Sequence, residues 1–350
     1  MYNKLIQLYK AIKFMRGDKF TVQRAIKQHA DYLKPGWYIF NGTSAYRCFS
    51  DLPLSIKKET KSGKRLEVRF LKLRFIYRIV EYVVPPLGLI YINKQYKLTA
   101  SGSLLLLRSK SLKIFDFKNK TVYTWRSSEL ESENIYKSYK LFSKYFSIPS
   151  IKIMDDKVGL EEEYINGLTF SQISKSERLN FFFKLVDGYK KLINSSVYER
   201  YAIMRIEDLH SSIEKNSRSR HLLIAVKNRA ELVNKILNES VWIWSHGNLH
   251  PNNLLIKRDK IYVIDLESIC RRPFFYDLFA LAVREQINGN DALVHAINNG
   301  SFDSFFHYAF GQFKLSFNFN LSDMWLSHAL IECYDHPDLI KHYSTKFNFN

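Results

Sequence analysis

The sequence predicts an α+β protein of two lobes, a small strand-rich one followed by a larger, mainly helical one, with a basic region ahead of both. Three observations lead there. Between Tyr96 and Phe170, short apolar runs alternate with polar turns, the pattern of an antiparallel sheet. After Ser174, apolar residues recur at three- and four-residue spacing, the signature of amphipathic helices. Between Val241 and Asp265, two short apolar strands enclose a polar loop rich in His, Gly, Asn and Pro. A chain of 350 residues with 46% hydrophobic content can bury a core large enough for two domains.

Residues 1–95 are assigned to the basic region. Its first 30 residues read as one or two short helices, with Leu5, Leu8 and Ile12 at helical spacing among Lys4, Lys10, Lys13 and Arg16. Lys34-Pro35-Gly36 and Asn41-Gly42 are turn signals. Over 66–84, Phe70, Leu73, Tyr77, Val80 and Val84 share one helical face, with Arg69, Lys72 and Arg78 off it. Such a helix usually packs its apolar face on a neighbouring domain; the alternative is a membrane interface.

The small lobe is placed at 96–170. Ser103–Leu107, Leu112–Phe117 and Thr121–Trp125 read as strands, the last two joined by a hairpin at Lys118-Asn119-Lys120. Ser127–Phe146 reads as a helix anchored by Tyr136, Leu141, Tyr145 and Phe146, and Val158–Gly167 returns to extended chain. The large lobe fills 171–350. Ser174-Lys175-Ser176-Glu177 fits a capping box, and Leu179, Phe182, Phe183, Val186 and Tyr189 form the buried face of the helix it opens. Further helices are expected over Leu222–Leu237, Leu278–Ile297 and Ser322–Cys333.

The stretch with chemistry is Val241–Leu278. Asn253 ends its polar loop and Asp265 ends its second strand, and both offer side-chain oxygens, the ligand type Mg²⁺ prefers. Asn and Asp are also ordinary turn residues. The order His246-Gly247-Asn248-Leu249-His250-Pro251-Asn252-Asn253, then Ile264-Asp265-Leu266-Glu267, then Phe275-Tyr276-Asp277-Leu278 resembles the catalytic core of the aminoglycoside phosphotransferase and choline kinase-like families, relatives of the protein kinases. Their loop reads H-G-D-x-x-x-x-N and is followed by I-D-x-E.

The resemblance implies a two-lobed protein kinase-like fold, ATP and Mg²⁺ as cofactors, and a small-molecule acceptor such as a sugar or an amino alcohol. It implies Asn253 and Asp265 as metal ligands and Glu163, Tyr164 and Ile165 as the linker whose backbone grips adenine. A Lys–Glu pair should hold the α- and β-phosphates, with Lys113 and Glu133 as candidates and Arg126 and Glu131 as alternatives. Thr99–Ser103 is the candidate turn over the phosphates. His246 and Asp277 would brace the loop, joined by Glu267, and His246, Asn248 and His250 stand at the catalytic position. One departure decides the mechanism: the family's aspartate is Asn248 in this chain. An amide cannot take the acceptor's proton, and its NH₂ presents donors where an acceptor is needed. His250 is either a substitute base or a loop histidine packed under the turn.

The formal charge is +19, and residues 1–80 contribute eighteen Lys/Arg against five Asp/Glu. A basic face attracts phosphates, nucleic acid or an anionic membrane surface; a composition rich in Lys, Asn, Ile, Phe and Tyr gives the same charge with no binding role. Nucleic acid is not the expected partner. Cys48, Cys270 and Cys333 fit no metal or disulfide pattern, as in a reducing cytosol. The first residues break their apolar positions with Lys, so the expected location is cytoplasmic, peripheral to the membrane if the basic face binds it.

Three functions follow from these readings. The first is an ATP- and Mg²⁺-dependent phosphotransferase with an alcohol acceptor, in the manner of kinases that phosphorylate sugars of cell-surface polysaccharide or lipopolysaccharide. The second is a pseudokinase that binds nucleotide or a partner without transfer, because of Asn248. The third is a polyanion-binding first quarter carried on a kinase-like scaffold, whose binding would fall steeply with salt.

Overall fold

The structure, a computed structural model, describes residues 29–34, 36–41, 44–47, 89–92, 102, 104–107, 111–195, 224, 228–239, 241–312, 321–335, 339, 342 and 343. The helices expected over 1–30 and 66–84 lie outside them but for residues 29 and 30. The chain divides into two units, Met1–Lys140 with Pro149–Gly167, and Leu141–Ile148 with Leu168–Asn350.

The first unit is built on one antiparallel sheet. Its strands are β1 (Gly36–Asn41), β2 (Ser44–Arg47), β3 (Leu89–Ile92), β4 (Leu104–Leu107), β5 (Leu112–Asp116), β6 (Thr121–Trp125), β7 (Ile151–Ile153) and β8 (Gly159–Glu163), in the order β3-β1-β2-β4-β5-β6-β8-β7. The separate region expected up to residue 95 therefore needs correcting. β1, β2 and β3 precede that boundary, yet β2 pairs directly with β4, Tyr46 opposite Leu104. The charge that set 1–95 apart belongs to side chains, whereas strand pairing is made by backbone amides and carbonyls.

The β5–β6 turn follows its local chemistry. Asp116 accepts hydrogen bonds from the Asn119 amide (3.0 Å) and from its side-chain Nδ2 (2.8 Å), and Lys120 takes a left-handed φ of 53°. Cross-strand register gives the sheet two faces. One carries Leu112, Ile114, Tyr123 and Trp125 and is covered by residues 29–34. The Tyr32 ring lies 4.9 Å from Tyr123 and 4.7 Å from Trp125, and His29 stands 4.2 Å from Trp125. Gly102 is pinned there as well: its amide donates to the Tyr32 carbonyl (3.1 Å) and its carbonyl accepts from the Lys34 amide (3.0 Å). A Cβ at Gly102 would lie 2.3 Å from the Tyr32 oxygen. Gly102 is thus a packing glycine, which corrects its placement in a phosphate-covering turn.

The other face carries Lys113, Thr124, Leu160 and Glu162 and is covered by α1 (Glu129–Phe142). Ile135 and Tyr139 are buried; the Tyr139 hydroxyl donates to Glu162 Oε1 (2.9 Å) and the Ser132 hydroxyl to the Val158 carbonyl (2.8 Å). The helix ends before the expected Phe146, because Lys144 and Tyr145 bond to carbonyls three residues back, the tightened geometry of a last turn.

The second unit is mainly helical. Its elements are β9 (Leu168–Thr169), α2 (Lys175–Ser195), α3 (Ala230–Glu239), β10 (Trp242–Ser245), β11 (Leu254–Lys257), β12 (Lys260–Val263), β13 (Cys270–Pro273), α4 (Tyr276–Ile287), α5 (Ala292–Asn298), α6 (Asp303–Gln312) and α7 (Leu321–Asp335). The capping box at the start of α2 forms as expected: Glu177 donates its amide to Ser174 Oγ (3.3 Å) and accepts from the Ser174 amide (3.0 Å). Its buried face uses Phe181, Phe182, Leu185, Val186, Tyr189, Leu192 and Ile193. Phe183 instead stays exposed and stacks on Phe302 at 4.9 Å. The single helix expected over 278–297 is two helices. The first ends at Ile287, with Asn288 as its cap and Gly289 at a φ of +81°; Asn290 then ties the turn back, its amide bonded to the Glu285 carbonyl (2.9 Å) and its side chain to Glu285 Oε2 (2.7 Å). The core is aromatic, with Phe274, Phe275, Phe279, Phe305, Phe306 and Trp325 in ring contact. Among the described residues, no helix is long and apolar enough to cross a membrane.

His328 of α7 is fully buried in that core, its Nδ1 2.9 Å from the Tyr343 hydroxyl. Burial, then the nearby Arg284 guanidinium, push its pKa down to about 3 from 6.5. The unfolded chain therefore takes up a proton that the folded chain refuses, and stability falls as pH drops below 6.5. Acidification to pH 4 is expected to remove about 3 kcal/mol through this residue alone. Unfolding curves of His328→Gln should show a flatter pH dependence over that interval, whatever its stability at pH 7.

Candidate active site

β10 is buried, with Trp242 2% and Ile243 1% exposed, and it carries Ser245 and His246 into the interior. The chain then turns at Gly247, whose φ is +75°. A Cβ there would lie 2.2 Å from the Ser268 carbonyl oxygen and 2.9 Å from Cys270 Sγ. Only glycine combines that conformation with that contact. Gly247→Ala is expected to destabilise the protein by roughly 1–3 kcal/mol, measurable as an earlier urea midpoint.

The loop that follows is held by one carboxylate. Asp277, in the first turn of α4, is 2% exposed. Its Oδ2 accepts from the His246 amide (2.7 Å) and from the Tyr189 hydroxyl (2.6 Å), and its Oδ1 accepts from the Gly247 amide (3.2 Å). Burial, then the Asp277 charge, hold the Tyr189 phenol well above its ordinary pKa, so it remains a donor. The signal in the sequence was a tyrosine on an otherwise apolar helix face, because a buried phenol needs a partner.

His246 is a strut. Its Nδ1 accepts from the Asn248 amide (3.4 Å), which assigns the proton to Nε2, and Nε2 donates to the Ile264 carbonyl (2.9 Å). His250 is engaged in the same way. It caps the short turn Pro251–Asn253, its Nδ1 accepting from the Asn252 amide (3.2 Å). Burial, then Arg284 and His246, lower its pKa to about 4. At neutral pH it is uncharged, with its acceptor nitrogen occupied. Of its two readings, the substitute base gives way to the histidine packed under the turn.

Asn253 and Asp265 are brought together by the β11–β12 hairpin. Leu254 stands opposite Val263, and the Ile264 amide bonds to the Asn253 carbonyl at 3.0 Å. Asn253 is 5% exposed, and its Nδ2 donates to the Asn248 carbonyl (3.0 Å), which leaves Oδ1 as its ligand atom. Asp265 has a φ of +64°, a left-handed conformation uncommon outside glycine and tolerated by Asp. An amide oxygen one residue before β11 and a carboxylate two residues after β12 make a hard-oxygen donor set that fits Mg²⁺, which takes few protein ligands and keeps water. Glu267 is exposed. Asn248 is half-buried, and among the described residues its side-chain amide makes no hydrogen bond.

The nucleotide candidates lie in the first unit. The Glu163 amide bonds to the Ser150 carbonyl and the Tyr164 amide to the Lys120 carbonyl, both at 2.8 Å. The Tyr164 ring packs on Phe117 (5.1 Å), and Ile165 is buried. The linker amide these bonds leave is that of Ile165. The structure does not bring Glu133 to Lys113: Glu133 is half-buried and pairs within its own helix with Lys137, 3.3 Å away. An exposed i,i+4 partner satisfies a helical glutamate locally. The carboxylate on Lys113's face is Glu162, hidden in the sequence as one of three consecutive glutamates.

Several known proteins resemble this chain. A choline/ethanolamine kinase family protein from Mesorhizobium loti is 12% identical with a TM-score of 0.47, over 79% of this chain and 90% of that one. The choline kinase LicA from Streptococcus pneumoniae is 12% identical with a TM-score of 0.44, over 69% and 85% and the aminoglycoside phosphotransferase APH(3'')-Id from Streptomyces rimosus is 14% identical with a TM-score of 0.42, over 68% and 92%. No curated protein sequence matches. Residues 201–313, which contain the loop, both candidate metal ligands and Asp277, match the model of the phosphotransferase enzyme family.

Proposed function

We propose that this protein is a phosphotransferase that uses ATP and Mg²⁺ to phosphorylate a hydroxyl group of a small molecule, a sugar or an amino alcohol. The observation that supports this reading is the bond from the Ile264 amide to the Asn253 carbonyl, which sets Asn253 and Asp265 on neighbouring stretches of chain beside a loop held by Asp277 and His246. Bound there, Mg²⁺ would neutralise charge on the transferring phosphoryl group. The loop residues supply position. Phosphoryl transfer asks for little else, since its loose transition state depends on alignment and charge. Asn248 favours the second reading, a pseudokinase that binds nucleotide without transfer, because neither it nor His250 offers a base.

Thermal unfolding with ATP alone, Mg²⁺ alone and both together tests the reading. Ligand at ~100 times its dissociation constant adds about 2.7 kcal/mol, a rise of a few degrees. A shift that needs both components is the expected result. No shift under any condition would sink both the transferase and the nucleotide-binding pseudokinase.

A further inference from the structure

The loop lacks a group that can take a proton from the acceptor. At the position of a base stands Asn248, an amide whose NH₂ donates. Its backbone is fixed, its amide on His246 Nδ1 and its carbonyl on Asn253 Nδ2, and its side chain makes no hydrogen bond among the described residues. His250 is closed to the task by its bond from the Asn252 amide, and Asp277 is buried beneath three donors. A carboxylate at 248 would repel an anion beside the acceptor hydroxyl; an amide donates to it. The neighbouring strand adds positive charge. β13 runs antiparallel to β10, the strand that feeds the loop, with Arg271 opposite Trp244 and Cys270 opposite Ser245. The Arg271 guanidinium lies 4.4 Å from the Trp244 ring and that of Arg272 5.5 Å from the Tyr276 ring. Arg271 Nη1 also donates to the Trp242 carbonyl (3.5 Å) and Arg272 Nη1 to the Arg271 carbonyl (3.4 Å), so the two contribute charge to this part of the unit rather than a free fork.

We propose that the acceptor is an alcohol carrying its own phosphate monoester close to the reacting hydroxyl, and that Asn248 donates a hydrogen bond to that phosphate. The proposal rests on the phosphotransferase reading and names its substrate class. The acceptor oxygen attacks the γ-phosphorus, the bond from that phosphorus to the bridging oxygen breaks, and ADP leaves. The hydroxyl proton passes to the acceptor's own phosphate. The second pKa of a phosphate monoester, about 6, suits a base working near neutral pH. Asn248 is then a specificity-determining residue, and its amide is the feature that fits an anionic acceptor.

The test compares matched pairs, glycerol with glycerol 3-phosphate and glucose with glucose 6-phosphate. Labelled phosphate transfer is measured at saturating Mg–ATP, and acceptor binding is measured by calorimetry with a non-hydrolysable analogue. The wild type is expected to favour the phosphorylated member in kcat/KM by about tenfold or more, since a like charge would cost several kcal/mol and a donor does not. Asn248→Asp should reverse the preference, weakening binding of the phosphorylated member and raising transfer to the neutral one. Four results overturn the proposal. One is a wild-type preference for neutral alcohols. Another is Asn248→Asp accelerating both members alike, and the third is loss of all transfer in Glu267→Gln with acceptor binding intact, which would locate the base on the protein. Mg–ATP binding with neither transfer nor binding of a phosphorylated member also overturns it. Failure of the underlying reading looks different: no Mg–ATP thermal shift in the wild type.

Discussion

Asp277→Ala is expected to lower stability by roughly 2–6 kcal/mol, on the basis of about 1–3 kcal/mol for each of two buried donors left without a partner. The carboxylate accepts from three donors at once, the His246 and Gly247 amides and the Tyr189 hydroxyl, at a site 2% exposed. Alanine leaves the His246 amide and the Tyr189 hydroxyl without this acceptor, whereas the Gly247 amide keeps Ser245 Oγ at 3.2 Å. That loss is comparable with the whole stability of an ordinary domain, so much of the protein should be unfolded at 37 °C. Asp277→Asn separates charge from shape. One oxygen remains, but its NH₂ faces a donor, so an intermediate loss is expected. A urea midpoint for Asp277→Ala within experimental error of the wild type would show that the loop keeps its shape by other means. Tyr189→Phe removes one of the three bonds and should cost about 1 kcal/mol.

Asp265→Asn should have the opposite profile. The substitution keeps the shape of the side chain, and asparagine tolerates the left-handed φ of +64° found here. Apo stability should fall far less than in Asp277→Ala, since the substitution keeps one side-chain oxygen and the backbone conformation. The charge that would hold Mg²⁺ is gone, however. The thermal shift with Mg–ATP should vanish, and transfer should fall by about a hundredfold or more, because metal stabilisation supplies several kcal/mol at about 1.4 kcal/mol per tenfold. Calorimetry of the two variants should separate an aspartate that builds the loop from one proposed to bind Mg²⁺. An unchanged Mg–ATP shift in Asp265→Asn would remove this residue from the metal site.

The parts of the site written in consecutive residues were legible. The loop from His246 to Asn253, the strand that leads to Asp265 and the turn into α4 each follow from local chemistry: a glycine where φ is +75°, a proline opening a short helical turn, apolar runs that must be buried. The capping box at Ser174 and the hairpin at 118–120 were legible for the same reason, since the partners lie within a few residues. Glu133 was misread by this logic. It sits on the helix where a phosphate-pairing glutamate is expected, but Lys137 one turn away engages it.

By itself, then, the sequence determined which segments are strands and helices around the loop, the metal-type oxygens of Asn253 and Asp265, and the amide at 248. Tertiary structure alone decided that β1, β2 and β3 join the sheet of the strands after residue 104, that Tyr189 reaches Asp277 from another helix, and that Glu162 shares a face with Lys113. The physical reason is the same in each case. A turn or cap is closed by neighbours in sequence, so its residues state their own geometry. A strand edge, a buried phenol or a sheet face states only that it needs a partner, and the identity of that partner is fixed when the whole chain packs.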